Sequence, residues 1–144
     1  MFAQRTMICR QILYESVATS FMTLEDVVPL LQKCNQQNFD IEISGLLIFH
    51  NNRFMQLLEG SKARIEFIMG KISNDPRHSN LKVLHETECT QRSMGAWAMA
   101  FTMDTNKSEA LREYPFFLSI ADAREICSTM KSELSQHFSR FLET

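Results

Sequence analysis

Gln56 is the side chain whose surroundings most need explaining. It stands in the run Arg53-Phe54-Met55-Gln56-Leu57-Leu58-Glu59-Gly60, which reads as a strand closed by a glycine. Strand alternation puts Phe54, Gln56 and Leu58 on one face, so a primary amide sits between two large apolar side chains. An amide on a buried face must find partners for two donors and an acceptor, or cost on the order of 1–3 kcal/mol for each group left unmade. Side chains elsewhere in the chain that could meet such an amide include Tyr14, Asn38 and Met99. A phenol can give up a proton and an electron. An amide can turn either an N–H or a carbonyl toward the same neighbour. Hydrogen-bond exchange is therefore the chemistry these types offer.

Each residue also has a plainer reading. Gln56 alone would be a strand-edge glutamine with its head in water, and Tyr14 a core tyrosine at a strand end. Asn38 follows a helix and reads either as a C-terminal cap, since asparagine tolerates the left-handed conformation, or as a ligand. Asp75 and Lys71 lie in and just after a helix, where charged side chains are usually solvated. His78 reads as a loop histidine, because no second His or Cys falls at metal-ligand spacing. Trp97 would serve as sheet core and Met99, one of nine methionines, as filler. Glu86 and Glu88 share a strand face and read as surface.

The elements that must position these residues follow from periodicity. Ile8 to Tyr14 reads as a first strand. Thr23 to about Gln36 carries Leu24, Val27, Val28, Leu31 and Cys34 at helical spacing; Asp26 as cap would put Pro29 in the first turn, but the longer helix capped by Thr23 and kinked at Pro29 is expected. Ile43 to Phe49 and Arg53 to Gly60 form a hairpin about Asn51-Asn52. Ser61 caps a second helix with the stripe Ile65, Ile68, Met69 and Ile72, weakened by Gly70. Leu81, Val83, His85 and Thr87 alternate as a fourth strand, and Trp97, Met99, Phe101 and Met103 as a fifth. This is an α+β pattern, a ferredoxin-like βαββαββ sheet with two helices on one face. After Met103, residues Asp104 to Ser108 read as a loop and Tyr114-Pro115 ends a short helical piece. From Asp122 onward Ala123, Ile126, Cys127, Met130, Leu134, Phe138, Phe141 and Leu142 recur at helical spacing.

Taken in order, these residues resemble the BLUF family, the blue-light sensors that hold a flavin between two helices on a small sheet. The resemblance runs from about Ile8 to Met103. It rests on Tyr14 at the end of the first strand, Asn38 before the Ile43-Ser44-Gly45 turn, Gln56 in Phe-x-Gln-x-Leu-Glu-Gly, the segment Asp75-Pro76-Arg77-His78, and Trp97-x-Met99. The interval from Tyr14 to Gln56 looks like the family's own. The chain departs from the pattern at Gln37 and Glu42, and at Lys71, where an arginine often stands and where lysine keeps the charge without the planar fork.

The resemblance implies a blue-light photoreceptor with non-covalently bound FAD, with FMN or riboflavin as alternatives. Tyr14 would supply an electron and a proton after illumination, and Gln56 would rotate or tautomerise. Asn38, Gln56, Lys71, Asp75, Arg77 and His78 would bind the cofactor. A shift between Trp97 and Met99 on strand five would carry the signal to C-terminal helices covering the opposite sheet face. Residues 1–103 would form the flavin-binding domain and 104–144 a helical extension. The output partner would be a separate polypeptide, of which the family offers phosphodiesterases, response regulators and transcription regulators, and the assembly a homo-oligomer. The competing readings are a light-insensitive interaction module of the same fold and a small flavin reductase.

Composition sets the outer bounds. The 144 residues, 44% hydrophobic, build one ordinary core. A net charge of −2 leaves no basic footprint for nucleic acid. Cys9, Cys34, Cys89 and Cys127 show no Cys-x-x-Cys pair, which argues against a zinc site and against disulfides and suits a reducing, cytoplasmic setting. No stretch approaches the roughly 18 apolar residues of a membrane span. No Gly-x-Ser-x-Gly, Walker loop or Gly-x-Gly-x-x-Gly appears, so an enzyme reading has no residues to stand on.

Overall fold

The computed structural model describes residues 8–95, 97–103 and 111–143. In chain order the elements are β1 (Cys9–Ala18), α1 (Leu24–Asp40), β2 (Ser44–His50), β3 (Arg53–Gly60), α2 (Lys62–Ser73), β4 (His78–Cys89), β5 (Ala100–Met103), α3 (Ile120–Ser128) and α4 (Ser132–Glu143). The strands form one sheet in the order β4-β1-β3-β2-β5. Every pairing is antiparallel except β2 with β5.

The hairpin of β2 and β3 turns at Asn51 and Asn52, with φ of 51° and 58°. Positive φ at both positions is what a tight two-residue turn between twisted strands requires, and asparagine tolerates it. That turn fixes the register in which Leu47 stands opposite Gln56, while the β1–β3 ladder places Tyr14 opposite the same residue.

The central strands are buried on both faces, because each face carries its own helices. On one face Ile12, Tyr14, Leu47, Phe54 and Leu58 pack with Val27 and Leu31 of α1 and Ile65 and Ile68 of α2. On the other, Leu13, Leu46, Ile48, Met55 and Leu57 pack with Cys127 of α3 and Leu134, Phe138 and Phe141 of α4.

The caps follow the sequence reading. Thr23 and Asp26 form a reciprocal capping box at α1, and Ser61 accepts from the Arg64 N–H at α2. Pro29 lies inside α1, which continues through it to Asp40, so the burial of Val27 and Leu31 outweighs the backbone bond that proline removes.

Three expectations need correction. The first strand extends past Tyr14 to Ala18, because its partners β3 and β4 run on beyond that residue. The fifth strand begins only at Ala100, so Trp97 and Met99 precede it and do not share a strand face. As expected, helices carry the C-terminal stripe, two of them, interrupted at Thr129 to Lys131, with Ser119 capping the first. Cys9 and Cys89 form a disulfide across β1 and β4, with Cα atoms 5.1 Å apart. Eighty positions separate the two cysteines in sequence, and only the antiparallel pairing of β4 with β1 brings them side by side. The loop expected over Asp104 to Ser108 lies outside the described residues.

Candidate functional site

A cavity of about 630 Å³ opens between α1 and α2 above the sheet, within the range of small-molecule sites. Its walls are apolar, with Leu30 from α1, Ile68 and Ile72 from α2, and Leu47 and Phe54 from the sheet. Its polar groups are few. Tyr14, Gln56, Asn38 and Gln37 face the interior, and Lys33, Lys71, Asp75, Arg77 and His78 also line it.

Tyr14 and Gln56 are 3% and 5% exposed, so their polar atoms must be matched inside the protein. The Tyr14 hydroxyl donates to Gln56 Oε1. Gln56 Nε2 in turn lies 3.4 Å from the Met99 sulfur. Burial, then the neighbouring Cys34 and Asp75, push the Tyr14 phenol far above its ordinary range, so the ring stays protonated and donates. Met99 is itself held from α1, where Asn35 Nδ2 donates to its carbonyl at 3.1 Å. The Trp97 carbonyl accepts from the Gly45 N–H at 3.1 Å, while the half-buried Trp97 side chain packs into the cluster on the opposite face. The two signalling candidates thus stand on opposite sides of the sheet.

Asn38 is 2% exposed and lies in the last turn of α1. It is not the cap, which is Ile41, so its amide is spared for the cavity. Arg77 folds back on Asp75 with Nε at 2.9 Å from Oδ1 and a second nitrogen at 2.5 Å from Oδ2. That fork holds the Asp75 carboxyl below its usual range. The Lys71 ammonium lies 4.8 Å over the Phe67 ring.

His78 is not a loop side chain but the first residue of β4. Its Nδ1 and Nε2 lie 2.6 Å from Ser16 Oγ and from the Ile72 carbonyl. The carbonyl only accepts, so Nε2 carries the proton and Nδ1 is free to accept from the serine hydroxyl. The ring is locked edge-on to Phe54, tying the end of α2 to β1.

Seven of the nine residues singled out in the sequence therefore line one cavity: Tyr14, Asn38, Gln56, Lys71, Asp75, Arg77 and His78. Met99 reaches it through Gln56, and Trp97 does not. Sequence reasoning missed Lys33 and Cys34 in the wall, and Asn35 behind Met99. The signal for Asn35 was present, since Asn35 and Asn38 are one helical turn apart beside the apolar stripe of α1.

An α+β sheet with a ligand-sized cavity between two helices, apolar on its walls with a few polar side chains, is the architecture of a small-ligand-binding domain. The family model for BLUF, sensors of blue-light using FAD, matches residues 9–100. The chain belongs to the BLUF family.

It is 33% identical over 92 residues to photoactivated adenylate cyclase subunit alpha of Euglena gracilis, an alignment covering 62% of this chain and 9% of that protein. To the blue light- and temperature-regulated antirepressor BluF of Escherichia coli (strain K12) it is 29% identical over 70 residues, 49% of this chain and 17% of that one. Among solved structures it resembles photo-activated BlsA with a TM-score of 0.66 at 22% identity, covering 90% and 91% of the two chains. Dark-state BlrB matches with a TM-score of 0.65 at 22% identity, covering 77% and 81%. These likenesses establish the ferredoxin-like fold.

The residues present fit the family's cofactor. A flat ring system needs apolar faces and amides at its edge, which Leu47, Ile68, Ile72, Gln56 and Asn38 provide. No helix among the described residues is long and apolar enough to cross a membrane.

Proposed function

We propose that this chain is a blue-light receptor that binds FAD non-covalently in the cavity between α1 and α2. Asn38 and Gln56 hold the ring edge, Lys71 and Asp75 flank it, and His78 closes the floor. Arg77 acts by orienting Asp75. When bound, the flavin supplies blue absorption and a strong electron acceptor in its excited state. The chain's residues do the rest. Loss of an electron makes the Tyr14 phenol a strong acid, and its proton passes to Gln56 Oε1. As Nε2 gives up a proton in turn and an electron and a proton return to Tyr14, the amide is left neutral but rotated or tautomerised, so that a different end faces the cofactor. Its Nε2 leaves the Met99 sulfur, and Met99 and Trp97 shift together with the start of β5. Residues 1–103 form the receptor domain, and the helices beyond them relay the change to a separate partner protein. The chain is itself no enzyme. It works as a homo-oligomer, and its partner is of the phosphodiesterase, response-regulator or transcription-regulator kind.

The observation that carries this reading is the buried Tyr14–Gln56 hydrogen bond in the wall of a ligand-sized cavity, with the other end of the same amide on Met99. The visible spectrum of the purified, FAD-loaded protein tests it. A flavin band that moves to longer wavelength under blue light and returns in the dark is expected. A colourless protein that cannot be loaded, or a band unmoved by light, contradicts it.

A further inference from the structure

Glu59 is fully buried, 0% exposed, on the face of β3 opposite Gln56. A buried carboxylate is costly unless every lone pair is met. Here Oε2 accepts from Gln11 Nε2 and from the Ser93 N–H, both at 2.6 Å. Oε1 accepts from the Met94 N–H at 2.7 Å and from the Ser44 hydroxyl at 3.3 Å. Two consecutive backbone N–H groups of the β4–β5 connection are thus clamped by one side chain.

That connection carries Trp97 and Met99, and it is gripped at two points by a single strand. On the cavity face Gln56 holds the Met99 sulfur. On the far face Glu59 holds Ser93 and Met94. Between the grips, the Trp97 N–H donates to the Met94 carbonyl at 2.9 Å. The Met94 side chain, 2% exposed, packs among the residues that α3 and α4 contribute to the second cluster. A displacement of Met99 relative to β3 therefore pulls on a connection that Glu59 anchors to the same strand, and Met94 at that anchor belongs to the cluster that α3 and α4 fill.

We propose that Glu59 is a positioning residue for the light response: it pins the β4–β5 connection to β3, so that movement of Met99 is converted into movement of Met94 against α4. This rests on Gln56 being the light-switched amide. Only a carboxylate serves. Glu59→Gln turns an NH₂ group toward one of the two backbone N–H groups, which cannot invert as Ser44 or Gln11 could, so one grip is lost with little change of shape.

The test is hydrogen exchange of the FAD-loaded full chain in the dark and under blue light, with the flavin spectrum recorded in parallel. In the wild type, illumination is expected to speed exchange at Ser93 and Met94 and to alter protection in α4. In Glu59→Gln the red shift should persist, dark exchange at one of these two amides should rise about tenfold or more, as loss of a charge-assisted bond implies, and the light-dependent change in α4 should vanish. Ser44→Ala, which leaves both backbone bonds, should keep the change in α4. A wild type that shifts red while Ser93 and Met94 exchange equally in light and dark overturns the role of Glu59 alone, whether or not the variant folds. So does a Glu59→Gln protein with an unaltered α4 response. A wild type with no red shift overturns the receptor reading and this proposal with it.

Discussion

The Tyr14 hydroxyl and the Gln56 side-chain carbonyl meet across β1 and β3, in direct register and joined by a hydrogen bond. The fold leaves the pair no other option. Both residues are buried, β3 lies between β1 and β2, and the β1–β4 ladder shifts register at Leu13/Tyr14 and again between Glu15 and Val17, while the β1–β3 ladder stays regular through the pair. The phenol is a donor because burial keeps its proton on, so the amide must present its oxygen to it and its nitrogen elsewhere. That polarity is the dark state of the proposed switch.

Removing the phenol oxygen should separate binding from photochemistry. Tyr14→Phe leaves Gln56 Oε1 short of a buried donor at a cost of about 1–3 kcal/mol but keeps the cavity's shape. The variant should retain bound flavin, measured as the ratio of flavin to protein absorbance, and show no light-induced red shift. A normal photocycle would rule out Tyr14 as the electron and proton donor.

Gly45 is the place where β2 tolerates no side chain. A Cβ there would stand 1.9 Å from the Leu57 carbonyl oxygen and 3.2 Å from the Met99 methyl. The first of these is backbone and cannot swing aside. Gly45→Ala should lower stability by about 1–3 kcal/mol, the usual cost of overpacking. It should also displace Met99 and change the rate of dark recovery. Thermal melting and recovery kinetics check the two halves separately.

The Asp75–Arg77 pair should make stability depend on pH at the acid end. Arg77 lowers the Asp75 carboxyl below its unfolded value of about 3.9. The contribution is then fully present above that value and is lost as pH falls through the lower, folded one. The melting temperature of Asp75→Asn should lie below that of the wild type at neutral pH, and the difference should close as the pH falls below the ordinary carboxylate range. A gap independent of pH would mean that the carboxylate is not what Arg77 stabilises.

Much of the receptor frame was legible in the sequence because it is local. An amide flanked by Phe54 and Leu58, a hairpin turn with two asparagines and a cap followed by an apolar stripe each declare themselves within a few residues. What escaped depends on pairing between distant segments. The approach of Cys9 to Cys89 follows from β4 joining the edge of the sheet beside β1, which no spacing rule encodes. The four donors on Glu59 come from three separate segments. The period of two over Trp97, Met99, Phe101 and Met103 suggested a strand that starts early. The chain there instead crosses between the faces, so alternation placed Trp97 with the wrong core.

The disulfide has a direct chemical test. Burial pushes the Cys127 thiol up to about 12 and raises that of Cys34 as well, so neither should react readily in the native protein. After denaturation without reductant two thiols per chain should titrate, Cys34 and Cys127, and four after reduction. Cys89→Ser should cost about 2–5 kcal/mol of stability, as loss of a native cross-link generally does. Four thiols without reductant would contradict the Cys9–Cys89 bond.

The most direct measurement is the difference spectrum between blue-illuminated and dark-kept protein for the wild type and Gln56→Leu, each loaded with FAD to the same occupancy. Leucine keeps the apolar volume and removes both ends of the amide. The wild type should show a reversible red shift of the flavin band and Gln56→Leu none. A leucine variant that shifts as the wild type does would show that the Gln56 amide is not the switch.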